Sequence, residues 1–316
     1  THITVNEKTR MVDISAMKRA ISSRTCVLVA SAPQFPHGII DPVQDVAQLG
    51  LKYGLPVHVD CCLGGFLLPF MEKAGFPLPT FDFRVPGVTS ISADTHKYGF
   101  APKGSSVVMY RNKELRSRQF FVQPDWPGGM YGSPTFSGSR PGSIVAACWA
   151  TLMHFGEDGY IDSTKKIISS TRYIANRLKS VPEIFIFGEP LVSVVGIGSN
   201  VFNIYRLFEA LVEKGWNLNS LQFPASLHLC VTLLHTKTGV ADKFVLDIED
   251  SIKEIMKNPN AECIGAGAIY GFAQGIPDRS LINDVAEAFL NACYTTKSPA
   301  SSNGALAVLN GDAAKV

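Results

Sequence analysis

Four short apolar segments, with no tight hairpin signal between them, set the fold class of this chain. They are residues 26–32 (CVLVASA), 56–60 (PVHVD), 88–93 (VTSISA) and 106–111 (SVVMYR). Continuous apolar runs of this length are typical of buried strands in a parallel sheet. A helical pattern over Val43–Tyr53, stopped by Gly54, separates the first two runs. The alternation predicts an α/β fold with a mostly parallel sheet and helices on both faces.

Composition changes near Glu157, and we use this change to divide the chain. We predict a large domain over residues 1–156 and a smaller, carboxy-terminal α+β domain over residues 157–294. Residues 295–316 are rich in Ser, Ala, Asn and Gly and predict a disordered tail. Just before the boundary, residues 140–155 (RPGSIVAACWATLMHF) predict a long buried helix.

Charge and cysteine content exclude several classes of function. Lys and Arg (29) exceed Asp and Glu (27) by two, and no basic run is longer than two residues, so we expect no nucleic-acid partner. The seven cysteines form no Cys-x-x-Cys, and the adjacent Cys61 and Cys62 lack metal-ligand spacing. We therefore predict buried thiols in a reducing compartment and no metal site. The apolar runs are too short to cross a bilayer, so we expect this chain itself to be soluble.

A carboxylate and a lysine follow two neighbouring strands of the predicted sheet. Asp60 ends one strand just before Gly64 and Gly65, and Lys97 follows the end of the next, 37 residues later. Ligands of open parallel sheets bind outside the carboxyl ends of the strands, so both side chains are expected in one crevice. A lysine can form a Schiff base with a carbonyl cofactor, and a carboxylate can keep a pyridine nitrogen protonated. This pair predicts pyridoxal 5'-phosphate, with His96 as a donor to its phosphate.

Each of these residues also has a structural interpretation that the sequence leaves open. Asp60 could serve as a helix N-cap, and Lys97 could be a solvated loop residue. His96 could be a packed histidine with a fixed tautomer. Ser31 lies at a strand end where it could approach the cofactor, although loop polarity alone would also place a serine there.

Longer motifs carry a family resemblance. The strand that ends in Asp60, the Thr-His-Lys-Tyr-Gly segment at residues 95–99 and the Gly-Ser-Arg-Pro-Gly run at 138–142 resemble fold-type I pyridoxal-phosphate enzymes of the group II decarboxylase superfamily. More narrowly, the chain resembles the sphingosine-1-phosphate lyases from about residue 3 to about residue 295. The runs that carry this likeness are 31–38 (SAPQFPHG), 90–99 (SISADTHKYG), 101–106 (APKGSS), 149–157 (WATLMHFGE), 215–224 (GWNLNSLQFP) and 256–259 (MKNP).

This resemblance implies a fold-type I, transferase-like architecture and a carbon–carbon lyase. The implied reaction is retro-aldol cleavage of phosphorylated sphingoid bases to phosphoethanolamine and a long-chain aldehyde. It implies Lys97 as the Schiff-base lysine and Asp60 as the partner of the ring nitrogen. It also implies Lys103 and Tyr131 near the substrate phosphate or hydroxyl, where a point charge and a phenol donor suit the chemistry. Lys103 could equally be a surface lysine, and Tyr131 a core phenol.

The resemblance further implies a homodimer and, for an intact family member, a place on the cytosolic face of the endoplasmic reticulum membrane. The chain opens with Thr1, and we find no upstream phosphate-binding loop or membrane segment in it. We therefore expect it to be the carboxy-terminal portion of such an enzyme. Two alternatives stay open: a group II amino-acid decarboxylase, and an inactive fragment or truncated isoform that lacks the upstream loop.

Overall fold

The computed structural model describes residues 1–263 and 276–295. The chain divides into two compact units, Thr1–Tyr270 and Gly271–Val316. The predicted tail at 295–316 lies, apart from its first residue, outside the described residues. The predicted domain division at 156/157 stays a prediction.

The first sheet in unit 1 has four strands in the spatial order β1-β2-β3-β4. They are β1 (Leu28–Ser31), β2 (Val57–Asp60), β3 (Val88–Ala93) and β4 (Val107–Tyr110). The first three run parallel, and β4 is antiparallel to β3. The four strands coincide with the four apolar runs, and the sheet is mostly parallel as predicted. The predicted burial is wrong for β4, whose first three residues are 38–43% exposed.

Helices follow these strands in an α/β arrangement. Helix α1 (Ile14–Ala20) precedes β1, and α2 (Val43–Tyr53) connects β1 to β2 and packs against both strands. Helix α2 ends at Gly54, whose φ of +63° is the left-handed conformation that glycine adopts without a Cβ penalty. The short α3 (Leu68–Met71) and α4 (Lys113–Ser117) complete this part.

A second sheet, entirely antiparallel, lies further along unit 1. Its spatial order is β7-β8-β10-β9. The four strands are β7 (Phe185–Ile186), β8 (Val194–Gly198), β9 (Asn219–Leu221) and β10 (Ser226–Cys230). Helix α6 (Ile204–Glu213) separates β8 from β9, and a 3₁₀ turn (Leu233–Thr236) and α7 (Val240–Met256) follow β10. One hydrophobic core contains buried residues from both sheets, such as Val59 and Val195. This continuous burial holds the two sheets together.

Helix α5 (Gly142–Leu178) joins the two sheet regions and corrects one prediction. Gly156 interrupts it with φ +57° and ψ −175°. After this kink the helix is buried, but before it Val145, Trp149 and Met153 are 62%, 65% and 65% exposed. The predicted burial of residues 140–155 is therefore wrong. Their spacing does put apolar side chains on one helix face, but no described residue covers that face.

A two-stranded hairpin between α4 and α5 was not predicted from the sequence. Strands β5 (Phe121–Gln123) and β6 (Tyr131–Ser133) pair antiparallel, and their side chains are largely exposed. Three-residue strands give too short a pattern for periodicity to detect.

Unit 2 contributes one described element, helix α8 (Arg279–Tyr294). The Asp278 side chain accepts a hydrogen bond from the Ser280 backbone N–H and caps the helix start. The sequence predicted a helix over 282–294 in this place. Across the helices of the described residues, none has the length and apolar character needed to span a bilayer.

Candidate active site

Asp60 lies at the carboxyl end of β2, in the middle of the parallel sheet. The strand register aligns it with Ser31 on β1 and Ser92 on β3. Its Oδ1 accepts hydrogen bonds from the Cys62 backbone N–H at 2.9 Å and from Ser92 Oγ at 3.1 Å. Burial by itself would raise the pKa of Asp60, but these bonds and the nearby His58 hold it below the ordinary value. The carboxyl group is therefore ionised near neutral pH.

His58, one row back on the same face of β2, joins this hydrogen-bonded group. Its Nδ1 lies 2.8 Å from Ser90 Oγ and its Nε2 lies 3.3 Å from Ser92 Oγ. Burial lowers the pKa of His58, and the Asp60 charge offsets only part of that effect. A neutral imidazole thus supports Ser92, which in turn donates to Asp60.

Lys97 lies in the turn that follows β3. Its Nζ is 3.0 Å from Asp94 Oδ2, and its side chain is 33% exposed. Burial lowers the pKa of Lys97, but hydrogen bonding to Cys62 and Asp94 reverses the effect and raises it above its ordinary value. The amine is therefore held as an ammonium in a partly enclosed position.

Cys62 connects the two predicted residues. Burial raises the pKa of its thiol, the Asp60 charge raises it further and Lys97 lowers it, so the thiol lies near both side chains. The Cys62 backbone N–H also donates to Asp60. Cys61, by contrast, is fully buried, and burial raises the pKa of its thiol. The structure thus places Asp60 and Lys97 near the same half-buried thiol, at the carboxyl ends of β2 and β3.

The turn that carries Lys97 is anchored on several sides. The Tyr98 hydroxyl donates to the Val231 carbonyl at 2.7 Å, and the Tyr160 hydroxyl donates to the Gly99 carbonyl at 2.7 Å. Both phenols are buried. These bonds tie the turn to the segment after β10 and to the buried half of α5, so the backbone around Lys97 is fixed by tertiary contacts.

His96 and Asp94 flank Lys97 in the same turn. His96 Nδ1 donates to the Ser105 carbonyl at 2.9 Å, and its Nε2 lies 3.7 Å from Asp94 Oδ2. Nδ1 is thus occupied by the Ser105 carbonyl, and Nε2 faces Asp94. The sequence analysis did not select Asp94 or treat Cys62 as a site residue. Their positions, three residues before Lys97 and two after Asp60, are the signals that could have found them.

Of the remaining predicted residues, Ser31 lies beside Asp60, and Lys103 and Tyr131 are exposed. Ser31 is half-buried beside Asp60 in the strand register, and its backbone N–H donates to Asp41 Oδ2 at 2.8 Å. Lys103 is exposed in the turn before Gly104, and Tyr131 is exposed on β6. Within the described residues, no hydrogen bond or ion pair joins Lys103 or Tyr131 to Asp60 or Lys97. The core-phenol interpretation of Tyr131 is therefore wrong.

Comparison with known proteins identifies the family of this chain. The model of the pyridoxal-dependent decarboxylase conserved domain matches residues 4–198, which include both sides of the crevice. The chain belongs to the pyridoxal-dependent decarboxylase family. The cofactor of this family is pyridoxal 5'-phosphate. In the residues that the structure describes, no group of three or more His, Cys, Asp or Glu side chains is arranged to hold a metal ion.

Several proteins similar to this chain are named sphingosine-1-phosphate lyase. Mouse sphingosine-1-phosphate lyase 1 is 59% identical over 291 residues, which are 92% of this chain and 51% of the mouse protein. The Drosophila melanogaster sphingosine-1-phosphate lyase is 55% identical over 296 residues, 94% of this chain and 54% of that protein. The chain thus spans about half the length of the curated relatives it matches.

A solved structure supports the fold. The Burkholderia pseudomallei sphingosine-1-phosphate lyase Bpss2021 superposes with a TM-score of 0.80 at 36% identity, over 92% of this chain and 62% of that one. The fold is therefore the fold-type I architecture of pyridoxal-phosphate enzymes, as the sequence resemblance implied.

The residues of the crevice fit this cofactor chemically. A primary amine on Lys97 suits the cofactor aldehyde, and an ionised carboxylate on Asp60 suits a protonated ring nitrogen. Both groups influence the pKa of the Cys62 thiol, so both lie close to this residue. The individual roles of Lys97, Asp60, His96 and Ser31 in holding the cofactor stay predictions.

Proposed function

We propose that this chain contributes the lysine side of the active site in a pyridoxal-phosphate-dependent lyase. The substrates would be phosphorylated sphingoid bases such as sphingosine 1-phosphate, cleaved to phosphoethanolamine and a long-chain aldehyde. The observation that carries the proposal is the Asp60–Cys62–Lys97 cluster at the carboxyl ends of β2 and β3. The 55–59% identity to proteins named sphingosine-1-phosphate lyase supplies the substrate class.

The crevice residues supply distinct chemical capacities. Bound pyridoxal phosphate supplies an electron-accepting ring that stabilises the electron pair left when a bond at the amine-bearing carbon breaks. Asp60, ionised and held by Cys62 and Ser92, can keep a proton on a ring nitrogen opposite it. Lys97 can bind a carbonyl carbon through its amine and can hold or release a proton at Nζ.

We also propose that Lys103 and Tyr131 recognise the substrate phosphate and hydroxyl. Both are exposed on segments that follow β3 and precede α5. A flexible ammonium attracts a phosphate as a point charge, and a phenol can donate a hydrogen bond to an oxygen.

A product assay tests the proposed reaction. The chain, and a longer protein that contains it, are each supplied with pyridoxal phosphate and sphingosine 1-phosphate. We expect a long-chain aldehyde and phosphoethanolamine in equal amounts. If the protein instead converts an amino acid to carbon dioxide and an amine, this result would support the decarboxylase alternative. Turnover by the longer protein alone would support the inactive-fragment alternative for this chain.

We further propose that the protein is a homodimer. Support comes from a strip of exposed apolar side chains on the first half of α5, namely Val145, Trp149 and Met153. Exposed Met130 and Trp126 lie in the hairpin segment that precedes this helix. Exposed apolar clusters of this kind are typical of protein interfaces.

Trp149→Lys is expected to weaken self-association. A buried tryptophan at an interface contributes about 2 kcal/mol or more, so the dimer dissociation constant should rise by about 30-fold. Sedimentation velocity across a concentration series measures this change. Leu246→Lys, at an exposed apolar residue on α7, is the matched control and should leave the dissociation constant unchanged. Equal effects of both variants would contradict the use of the α5 strip as an interface.

The proposed substrate is a membrane lipid phosphate, and this chemistry also bears on location. We propose that the intact protein acts on the cytosolic face of the endoplasmic reticulum membrane. Subcellular fractionation of the full-length protein, with protease treatment of sealed vesicles, tests this placement.

A further inference from the structure

Asp94 is the first residue after β3, and two segments hold its position. Its backbone N–H donates to the Cys62 carbonyl at 3.3 Å. Its Oδ1 accepts a hydrogen bond from the Ser106 hydroxyl, just before β4. Its side chain is only 13% exposed. The position of the Asp94 carboxylate is therefore set by contacts that do not involve Lys97.

The second oxygen of Asp94 faces Lys97. Oδ2 lies 3.0 Å from Lys97 Nζ and 3.7 Å from His96 Nε2. Because the Ser106 hydroxyl holds Oδ1, Oδ2 is the oxygen that faces Lys97. This arrangement differs from an ordinary surface ion pair, whose two flexible side chains gain little by meeting.

A second lysine–aspartate ion pair in the chain can be compared directly with this one. Lys253 and Asp250 have the same i, i+3 spacing and a similar separation of 2.9 Å. Their side chains are 71% and 60% exposed, however, against 33% and 13% for Lys97 and Asp94. Solvent screens the exposed pair, so only the enclosed pair is expected to change the behaviour of its lysine strongly.

The other groups that face Lys97 do not replace this charge. They are the thiol of Cys62 after β2, the thiol of Cys230 on β10, and the His96 imidazole, whose Nε2 lies 3.7 Å from the same Asp94 oxygen. A neutral thiol can donate or accept a weak hydrogen bond but carries no full charge. Asp94 is thus the carboxylate in direct contact with the amine.

This contact matters for a lysine that must bond to a carbonyl carbon. The ammonium first loses one proton, the amine nitrogen then bonds to the aldehyde carbon, and the aldehyde oxygen leaves as water. A fixed carboxylate makes the first step harder at neutral pH. In return it holds Nζ at one point in the crevice, which raises the effective concentration of the amine there.

We propose that Asp94 is the positioning residue for Lys97, holding its amine at the site of bond formation through an ion pair that Ser106 orients. The proposal rests on the proposed cofactor role of Lys97. Asp94 itself would form no covalent bond in this reaction. It would act through Lys97, and the ion pair would lower the fraction of Lys97 that is present as the neutral amine.

The first measurement needs no cofactor. Lys97 is labelled competitively with trace acetic anhydride across a pH series, and peptide mass spectrometry gives the midpoint of its reactivity. We expect Asp94→Asn to lower this midpoint by about one pH unit, because an adjacent opposite charge shifts a pKa by one to three units. Asp250→Asn is the matched control and should leave the Lys97 midpoint unchanged. Equal midpoints for the unmodified protein and Asp94→Asn would overturn the proposal.

The second measurement separates charge from placement. Asp94→Glu keeps the charge but moves it by one methylene group, so the midpoint should stay within about 0.3 pH units of the unmodified protein. The yield of borohydride-trapped pyridoxal-phosphate adduct at Lys97 in a fixed short time should nevertheless fall about fivefold or more. An undiminished yield would overturn the positioning role, even if Asp94→Asn failed to fold.

The outcomes of the two measurements also distinguish this proposal from the proposed function. No specific adduct at Lys97 in the unmodified protein would overturn the cofactor role on which the proposal rests. An adduct at Lys97 together with an unmoved acetylation midpoint in Asp94→Asn would overturn the role of Asp94 alone.

Discussion

Lys97→Ala is expected to abolish the specific pyridoxal-phosphate adduct of this protein. Lys97 is the lysine that the structure places near Cys62, whose backbone N–H donates to Asp60. Lys97→Ala removes the amine that would bond to the cofactor aldehyde. The measurement is borohydride trapping followed by peptide mapping, with about one pyridoxyl group per chain expected in the unmodified protein and none at this site in the variant.

The same substitution should reduce lyase turnover by about a thousandfold or more in a protein that shows it, as expected for loss of a covalent catalytic group. Lys113→Ala provides the control, because Lys113 is exposed at the start of α4 and should not affect trapping at Lys97. A stoichiometric adduct on a different lysine in Lys97→Ala would show that the crevice is not the cofactor site.

Gly65→Ala is expected to destabilise the fold by about 2–3 kcal/mol, as overpacking at a close contact does. Gly65 follows the turn after β2, and a Cβ at this residue would lie 2.4 Å from the Cβ of Ala93 and 2.9 Å from the Cys61 carbonyl oxygen. Ala93 is the last residue of β3, directly before Asp94. Relief of the clash would therefore displace the end of the strand that carries the Lys97 turn.

Urea unfolding measures this loss as a lower transition midpoint at an unchanged slope. Gly138→Ala is the matched control, because a Cβ there would have no neighbour within 4 Å, and its effect should stay within about 0.5 kcal/mol. If Gly65→Ala were as stable as the Gly138→Ala protein, the close approach of the turn to β3 would be incorrect. We also expect the Gly65→Ala protein to trap less cofactor at Lys97 under conditions where it is still folded.

The positions of Asp60 and Lys97 at strand ends could be predicted because the apolar runs that precede them are local features of the sequence. Apolar runs located the first sheet, and Asp60 and Lys97 follow directly from where two of those runs end. The rule that parallel strands present their carboxyl ends at one edge then brought the two residues together. None of this required knowledge of side-chain contacts.

Contacts between segments could not be predicted in the same way. Cys62 was interpreted as one of two buried thiols, yet alternation along the turn after β2 buries Cys61 and leaves Cys62 beside Lys97. Asp94 gains its position from Ser106, which belongs to the next strand region. Likewise, the spacing of apolar residues around Trp149 indicated an apolar helix face. The sequence could not show that no described residue covers this face.

The anchoring of the Lys97 turn links the crevice to the last stages of folding. The bond from Tyr98 to Val231 joins residues 133 positions apart, and the bond from Tyr160 to Gly99 joins residues 61 positions apart. Contacts of such long sequence separation form only after costly loop closure, late relative to local helices and turns. The reactivity of Lys97 therefore reports completion of tertiary structure. A partly folded chain with both sheets formed but not docked would have normal secondary structure and an unordered crevice.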